Sequence, residues 1–183
     1  MTKALIVIDV QESFRQRPNW AEISDPDIAD KVGSLVQAAR AAGDSVIWVL
    51  HTEPGSDTVF DPASGHVRLI DGLKPEPGEP TLHKTSHNAF TTTNLAQLLT
   101  AAGIRELIVC GIRTEQCCET TARVGSDLGY DVTFVIDATA TQPITHPVTG
   151  KVLGVDEVKE RTEFALAGRF ATIATVAELT GLS

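Results

Sequence analysis

Residues 104–129, IRELIVCGIRTEQCCETTARVGSDLG, hold one complete strand–turn–helix unit. The run 104–111 places a charged pair ahead of buried aliphatic residues, as expected of a strand covered on both faces in a parallel sheet. A polar turn follows, Thr114 is placed to cap a helix running to Leu128, and Gly129 supplies the stop. Working outward, the same alternation recurs. Residues 4–10 read as a strand. Asp25-Pro26 opens a helix whose face is Ile28, Val32, Leu35, Val36 and Ala39, closed by Gly43. Residues 45–51 (SVIWVLH) are a second strand and 81–84 a short third. Leu95, Leu98, Leu99 and Ala102 mark another helix, ending at Gly103. Residues 131–138 make a strand, 139–153 a loop, 155–167 a helix and 169–174 a last strand. Thr175 with Glu178 forms a capping box for a terminal helix. Strands alternating with helices of this length predict an α/β fold: one three-layer αβα domain over residues 1–183, with a doubly wound, mostly parallel sheet. Residues 52–80 show no sustained period and read as loop.

Composition narrows the function. Among 183 residues, 15 basic against 24 acidic ones give a net charge of −9, which argues against nucleic acid as a partner and weakens the case for an anionic membrane surface. The apolar run near the start, interrupted by Asp9, is too short for a secretory signal or a membrane span. Cys110, Cys117 and Cys118 are odd in number, with two adjacent, so they make a poor disulfide framework; a reducing cytoplasm is the expected location.

In open α/β sheets ligands bind beyond the carboxyl ends of the strands, near the topological switch point. Asp9 ends the first strand, His51 the second, Lys84 the third, and the Gly111–Cys117 turn follows the fourth. Cys117 falls at the third helical position, where free backbone N–H groups and the helix dipole favour negative charge, so a depressed thiol pKa is expected. Cys110 and Cys118 read as packing residues. Asp9 at the end of an apolar run needs a partner or a task, either capping a turn or exchanging a proton with a thiol. Spacing alone does not decide whether Lys84 joins them or is solvated.

Asp9-Val10-Gln11 with Phe14, then His83-Lys84 with Asn88-Ala89-Phe90, Thr93 and Leu95, then Gly111-x-x-Thr114-x-x-Cys117 continuing through Glu119-x-Thr121-Ala122-Arg123 to Gly129-Tyr130, resemble in order the motifs of the isochorismatase-like hydrolases. The resemblance spans nearly the whole chain. It implies a six-stranded sheet, an Asp9–Lys84–Cys117 triad, a cis peptide between Ile112 and Arg113, and an oxyanion hole from the backbone N–H groups of Arg113 and Cys117. It also implies a homo-oligomer, a dimer or tetramer. Asn88 stands where relatives usually have serine. Nicotinamidase-like relatives carry a metal-binding D-x-H-P after strand two. Here His51-Thr52-Glu53-Pro54 stands instead, with His66 further on, and the reading is no metal, with His51 a strand-end hydrogen-bonder and Glu53 solvated.

Cys117 favours the amide-cleaving branch. The expected activity is a cysteine hydrolase cutting a C–N bond of a small molecule through a thioester, without a cofactor. Gln11, Phe14, Phe90 and Arg113 are the expected substrate contacts. Arg113 either binds an acidic group on the substrate or faces solvent or a neighbouring subunit. The rival functions are a vinyl-ether hydrolase of the isochorismatase type using Asp9 and Lys84, and a non-catalytic binding or thiol-sensing domain. A Rossmann dinucleotide site is disfavoured, since no G-x-G-x-x-G follows the first strand.

Overall fold

The computed structural model describes residues 3–181. Strand β1 (Lys3–Ile8) leads through a short helix α1 (Glu12–Arg15) and a 3-10 turn (Pro18–Glu22) to helix α2 (Ile28–Ala42), then to β2 (Ser45–His51). After the long loop come β3 (Thr81–Lys84), α3 (Leu95–Ala101) and β4 (Glu106–Ile112). A π-helical turn (Thr114–Cys118) enters α4 (Glu119–Asp127), followed by β5 (Asp131–Ala140). A small antiparallel pair, β6 (Ile144–Thr145) and β7 (Val152–Leu153), precedes α5 (Val155–Leu166), β8 (Thr172–Ala174) and α6 (Val176–Thr180).

Six strands form one parallel sheet in the order β3-β2-β1-β4-β5-β8. The period of two in β1 explains the layering. Ala4, Ile6 and Ile8 join Leu95, Leu99, Ala122 and Leu166 from α3, α4 and α5 on one face. Leu5 and Val7 join Val32, Leu35 and Val36 from α2 on the other. Every residue of β1 after Lys3 is buried, which is why the run is continuously apolar. Because β2 lies to one side of β1 and β4 to the other, the crevice beyond the carboxyl ends of β1 and β4 is the switch point.

Local differences from the sequence reading have local causes. Helix α2 starts two residues late: Asp25 accepts a hydrogen bond from the Asp27 N–H (3.0 Å) in a turn, leaving Asp27 as the capping residue. Thr114 does not cap a helix. Arg113 precedes the turn, Thr114 is its first residue, and the Thr114 hydroxyl bonds that of Thr139 at 2.9 Å. Cys117 is therefore fourth in the turn. Residues 139–153 are not all loop, since β5 extends to Ala140 and β6 pairs with β7. The capping box at Thr175 and Glu178 forms as expected. No helix among the described residues is long and apolar enough to cross a membrane.

Gly111 shows how tightly the switch point is built. Its φ is +130°, and a Cβ there would stand 1.9 Å from the carbonyl oxygen of Ile8 on β1. Backbone cannot yield as a flexible side-chain tip does. Gly111→Ala is expected to cost about 4 kcal/mol or more, a drop in Tm on the order of 10 °C, measurable by thermal unfolding.

Candidate active site

The three residues at the strand ends meet. Asp9 follows β1 in the left-handed region (φ 53°), a conformation that aspartate tolerates better than most side chains. Its Oδ2 lies 2.8 Å from Lys84 Nζ, and both side chains are wholly buried. Lys84 starts one strand further out, beside β2, where it pairs in register with His51. Its long stem carries the ammonium back over the end of β2. There Nζ donates to Ser86 O (3.1 Å) and to Cys117 Sγ (3.3 Å), and sits 3.4 Å from His51 Nδ1. One ammonium thus links the carboxylate to the sulfur.

The turn that carries Cys117 is held from several sides. The Ile112–Arg113 peptide is cis. The carbonyl of Arg113 accepts from Gln116 N (3.3 Å) and Cys118 N (3.2 Å). The Thr121 hydroxyl donates to the carbonyl of Cys117 (2.6 Å) and accepts from Ala89 N (3.1 Å), joining the turn to the loop after β3. Buried Glu119 ties the first turn of α4 to Arg123 (2.9 Å), to Arg161, and to the Thr162 hydroxyl (3.1 Å) on α5.

The electrostatics follow from burial. Desolvation raises the Asp9 carboxyl above its ordinary 3.8, although Lys84 works in the opposite direction. The Lys84 ammonium is held above 10.5: burial opposes the charge, but Asp9 and Cys117 outweigh it. The expectation of a depressed Cys117 pKa is overturned. Burial pushes this thiol up, Asp9 pushes it further, and Lys84 only partly offsets both. One cation cannot hold two anions in a dry site. At rest the trio is a carboxylate, an ammonium and a thiol.

The other residues singled out in the sequence make the following contacts. Gln11 is buried: its side-chain amide donates to Ser13 Oγ and to His51 O (3.0 Å each) and its oxygen accepts from His51 N (2.7 Å), so it ties the loop after β1 to the end of β2. Phe14 packs edge-on against Phe60 (5.0 Å), and Phe90 stacks on Tyr130 (5.9 Å) within the apolar cluster that contains Cys117. Arg113 turns its Nη2 to Glu115 Oε1 (3.0 Å) and to Gln142 O (3.1 Å). His51 Nε2 lies 3.3 Å from Glu53 Oε1, a contact that assigns the ring proton to Nε2 and leaves Nδ1 to face Lys84 as an acceptor. Burial and the lysine lower the His51 pKa, so the ring is neutral. Of His66, the backbone carbonyl takes the Ser13 hydroxyl. Among the described residues, no three His, Cys, Asp or Glu side chains gather as a metal-binding group. Sequence reasoning missed Ser86, Glu115 and the Thr121 hydroxyl as parts of this site. The only prior signal was their place beside the lysine and cysteine motifs.

A buried carboxylate–ammonium–thiol group thus lies at the switch point of a six-stranded parallel sheet. Residues 3–177 match the family model described as the isochorismatase domain, and the chain belongs to that family. It is 37% identical over 144 residues to streptothricin hydrolase of Streptomyces noursei, covering 78% of this chain and 56% of that protein. It is 28% identical to the ureidoacrylate amidohydrolase RutB of Caulobacter segnis, covering 98% of this chain and 85% of that protein. A crystal structure of a hydrolase of the isochorismatase family from Chromobacterium violaceum superposes with a TM-score of 0.91 at 28% identity, over 98% of this chain and 92% of the other. The chain is thus an isochorismatase-family hydrolase.

The buried pair gives a stability prediction. Lys84→Met leaves a carboxylate without its cation and is expected to cost about 3–5 kcal/mol at pH 7. Adding Asp9→Asn should restore more than half of the loss, a non-additivity readable by urea denaturation of the two single variants and the double variant.

Proposed function

We propose that this chain is a cysteine hydrolase that cleaves the C–N bond of a small amide, with Cys117 as nucleophile, Asp9 as acid and base, and Lys84 as the fixed cation. The observation that carries this reading is the position of Lys84 Nζ, 2.8 Å from Asp9 and 3.3 Å from Cys117 in a buried site. The amidohydrolase among the relatives supports the choice of bond.

In this mechanism Asp9 takes the thiol proton as Sγ attacks the carbonyl carbon, so the thiolate never stands free. The raised carboxyl and raised thiol pKa values suit a direct transfer between them. The developing oxyanion is received by the backbone N–H groups of Arg113 and Cys117. Asp9 then returns the proton to the departing nitrogen, which leaves as ammonia or an amine. Water, deprotonated by Asp9, adds to the thioester carbonyl, and the carboxylic acid leaves as the thiol re-forms. Each step uses groups of this chain. The net charge of −9 accords with a small-molecule substrate in preference to nucleic acid, and the reading includes a cytoplasmic homo-oligomer.

Ammonia release from a panel of small amides and ureides tests the proposal. Cys117→Ala should lower kcat/KM by at least about a thousandfold. A wild-type sample quenched during turnover should show an acyl adduct on Cys117 by mass spectrometry. Full ammonia release by Cys117→Ala would overturn the thioester mechanism; no ammonia and no adduct with any amide would favour a vinyl-ether hydrolase using Asp9 and Lys84, or a binding domain. The pH profile has a definite sign. Asp9 must be ionised to take the proton, so kcat/KM should fall toward acid through an apparent pKa above 3.8.

A further inference from the structure

Beside the site, Arg113 carries a half-buried side-chain cation that the mechanism does not use. Its side chain is 12% exposed and that of its partner Glu115 is 9% exposed, and the two meet at 3.0 Å across the nucleophile turn. Glu115 is held a second time: its Oε2 accepts from the Thr141 hydroxyl at 2.5 Å. Arg113 Nη2 also donates to Gln142 O. The guanidinium that a substrate carboxylate would need is therefore already engaged by a carboxylate of the same turn, fixed in position by β5 and the residues after it. A carboxylate brought beside it would meet Glu115 at close range in a poorly solvated place, where like charges are strongly disfavoured.

Several buried polar atoms around this pair have no hydrogen-bond partner, Glu115 Oε1 and Asn19 Oδ1 among them. Arg113 Nε is a buried N–H donor, and Gln142 Oε1 is a buried acceptor on a side chain that is only 1% exposed. The charges close to the sulfur cancel: Asp9 against Lys84, Glu115 against Arg113, with His51 neutral. Beyond them, Arg17 acts on Arg113 from one side and Glu53 borders His51 on the other, again one of each sign.

We propose that Glu115 neutralises Arg113 and thereby tunes the site to uncharged substrates of the carboxamide or ureide type, excluding those with an ionised carboxylate next to the reacting carbonyl. This inference rests on Cys117 being the nucleophile, but it is testable without turnover. Iodoacetamide and iodoacetate attack a thiol by the same displacement: a C–S bond forms, iodide leaves, and the thiol proton passes to base. The two reagents are close in size and differ in charge and in the N–H groups that only the amide carries.

The experiment measures the alkylation of Cys117 by each reagent at pH 8, located by peptide mass mapping, with both rates divided by those for free cysteine. Cys110 and Cys118 are fully buried and serve as internal controls. Wild-type Cys117 should favour iodoacetamide by about tenfold after normalisation. Glu115→Gln, which is isosteric, should move the ratio about tenfold toward iodoacetate. Arg113→Leu in that background should abolish the gain. Thr141→Val, which loosens Glu115 without removing it, should shift the ratio the same way but less. A wild-type ratio equal to that of free cysteine, a ratio unmoved by Glu115→Gln, or no reaction with either reagent would overturn the inference. Because alkylation needs no amide cleavage, such a failure is distinct from a failure to release ammonia.

Discussion

The pair formed by Lys84 and Asp9 is the constraint around which the rest of the molecule is arranged. Burying either charge alone would cost several kcal/mol, and burying both is tolerable only with close contact and further hydrogen bonds. The fold supplies the close contact, and supplies the further hydrogen bonds on the ammonium's side, while both Asp9 oxygens rely on the ion pair alone. β1 delivers the carboxylate to the switch point, and β3, two strands away, delivers a side chain long enough to cross the end of β2. Ser86 and His51 then satisfy what remains of the ammonium. The left-handed backbone at Asp9 and the close approach of Gly111 to Ile8 belong to the same requirement: the ends of β1 and β4 must come together with little room between them.

That closeness governs the sulfur. A thiol beside one anion and one cation has no surplus positive charge to draw off its proton, and burial removes the help of water. The consequence is a resting thiol whose proton has a nearby acceptor. The π-helical turn, the Thr121 hydroxyl and the Glu119 network hold Cys117 in that relation from three directions.

Much of this was legible beforehand. Apolar runs closed by glycine identified the strands and helices, and the reactive residues stood at strand ends because a doubly wound sheet places them there. The order of the motifs pointed to the family. What sequence did not disclose depended on distance in three dimensions. The thiol pKa was judged from the end of a helix, a local effect, whereas burial and Asp9, 108 positions earlier in the chain, outweighed it. Arg113 was read as meeting an acidic substrate group, solvent or a neighbouring subunit; it precedes the π turn in extended backbone, and from there it reaches Glu115. Thr114 resembled a cap by type, yet its hydroxyl faced a β5 partner that no local pattern could name.

The strand order also bears on the sequence of events during synthesis. Asp9 and Lys84 both lie in the first 84 residues, on strands that sit on one side of the switch point or at it, and Cys117 is added 33 residues later on the far side. A chain emerging amino end first can bring its carboxylate and ammonium together before its sulfur has been made. The sulfur of Cys117 can then be received, on arrival, by a charge pair already in place.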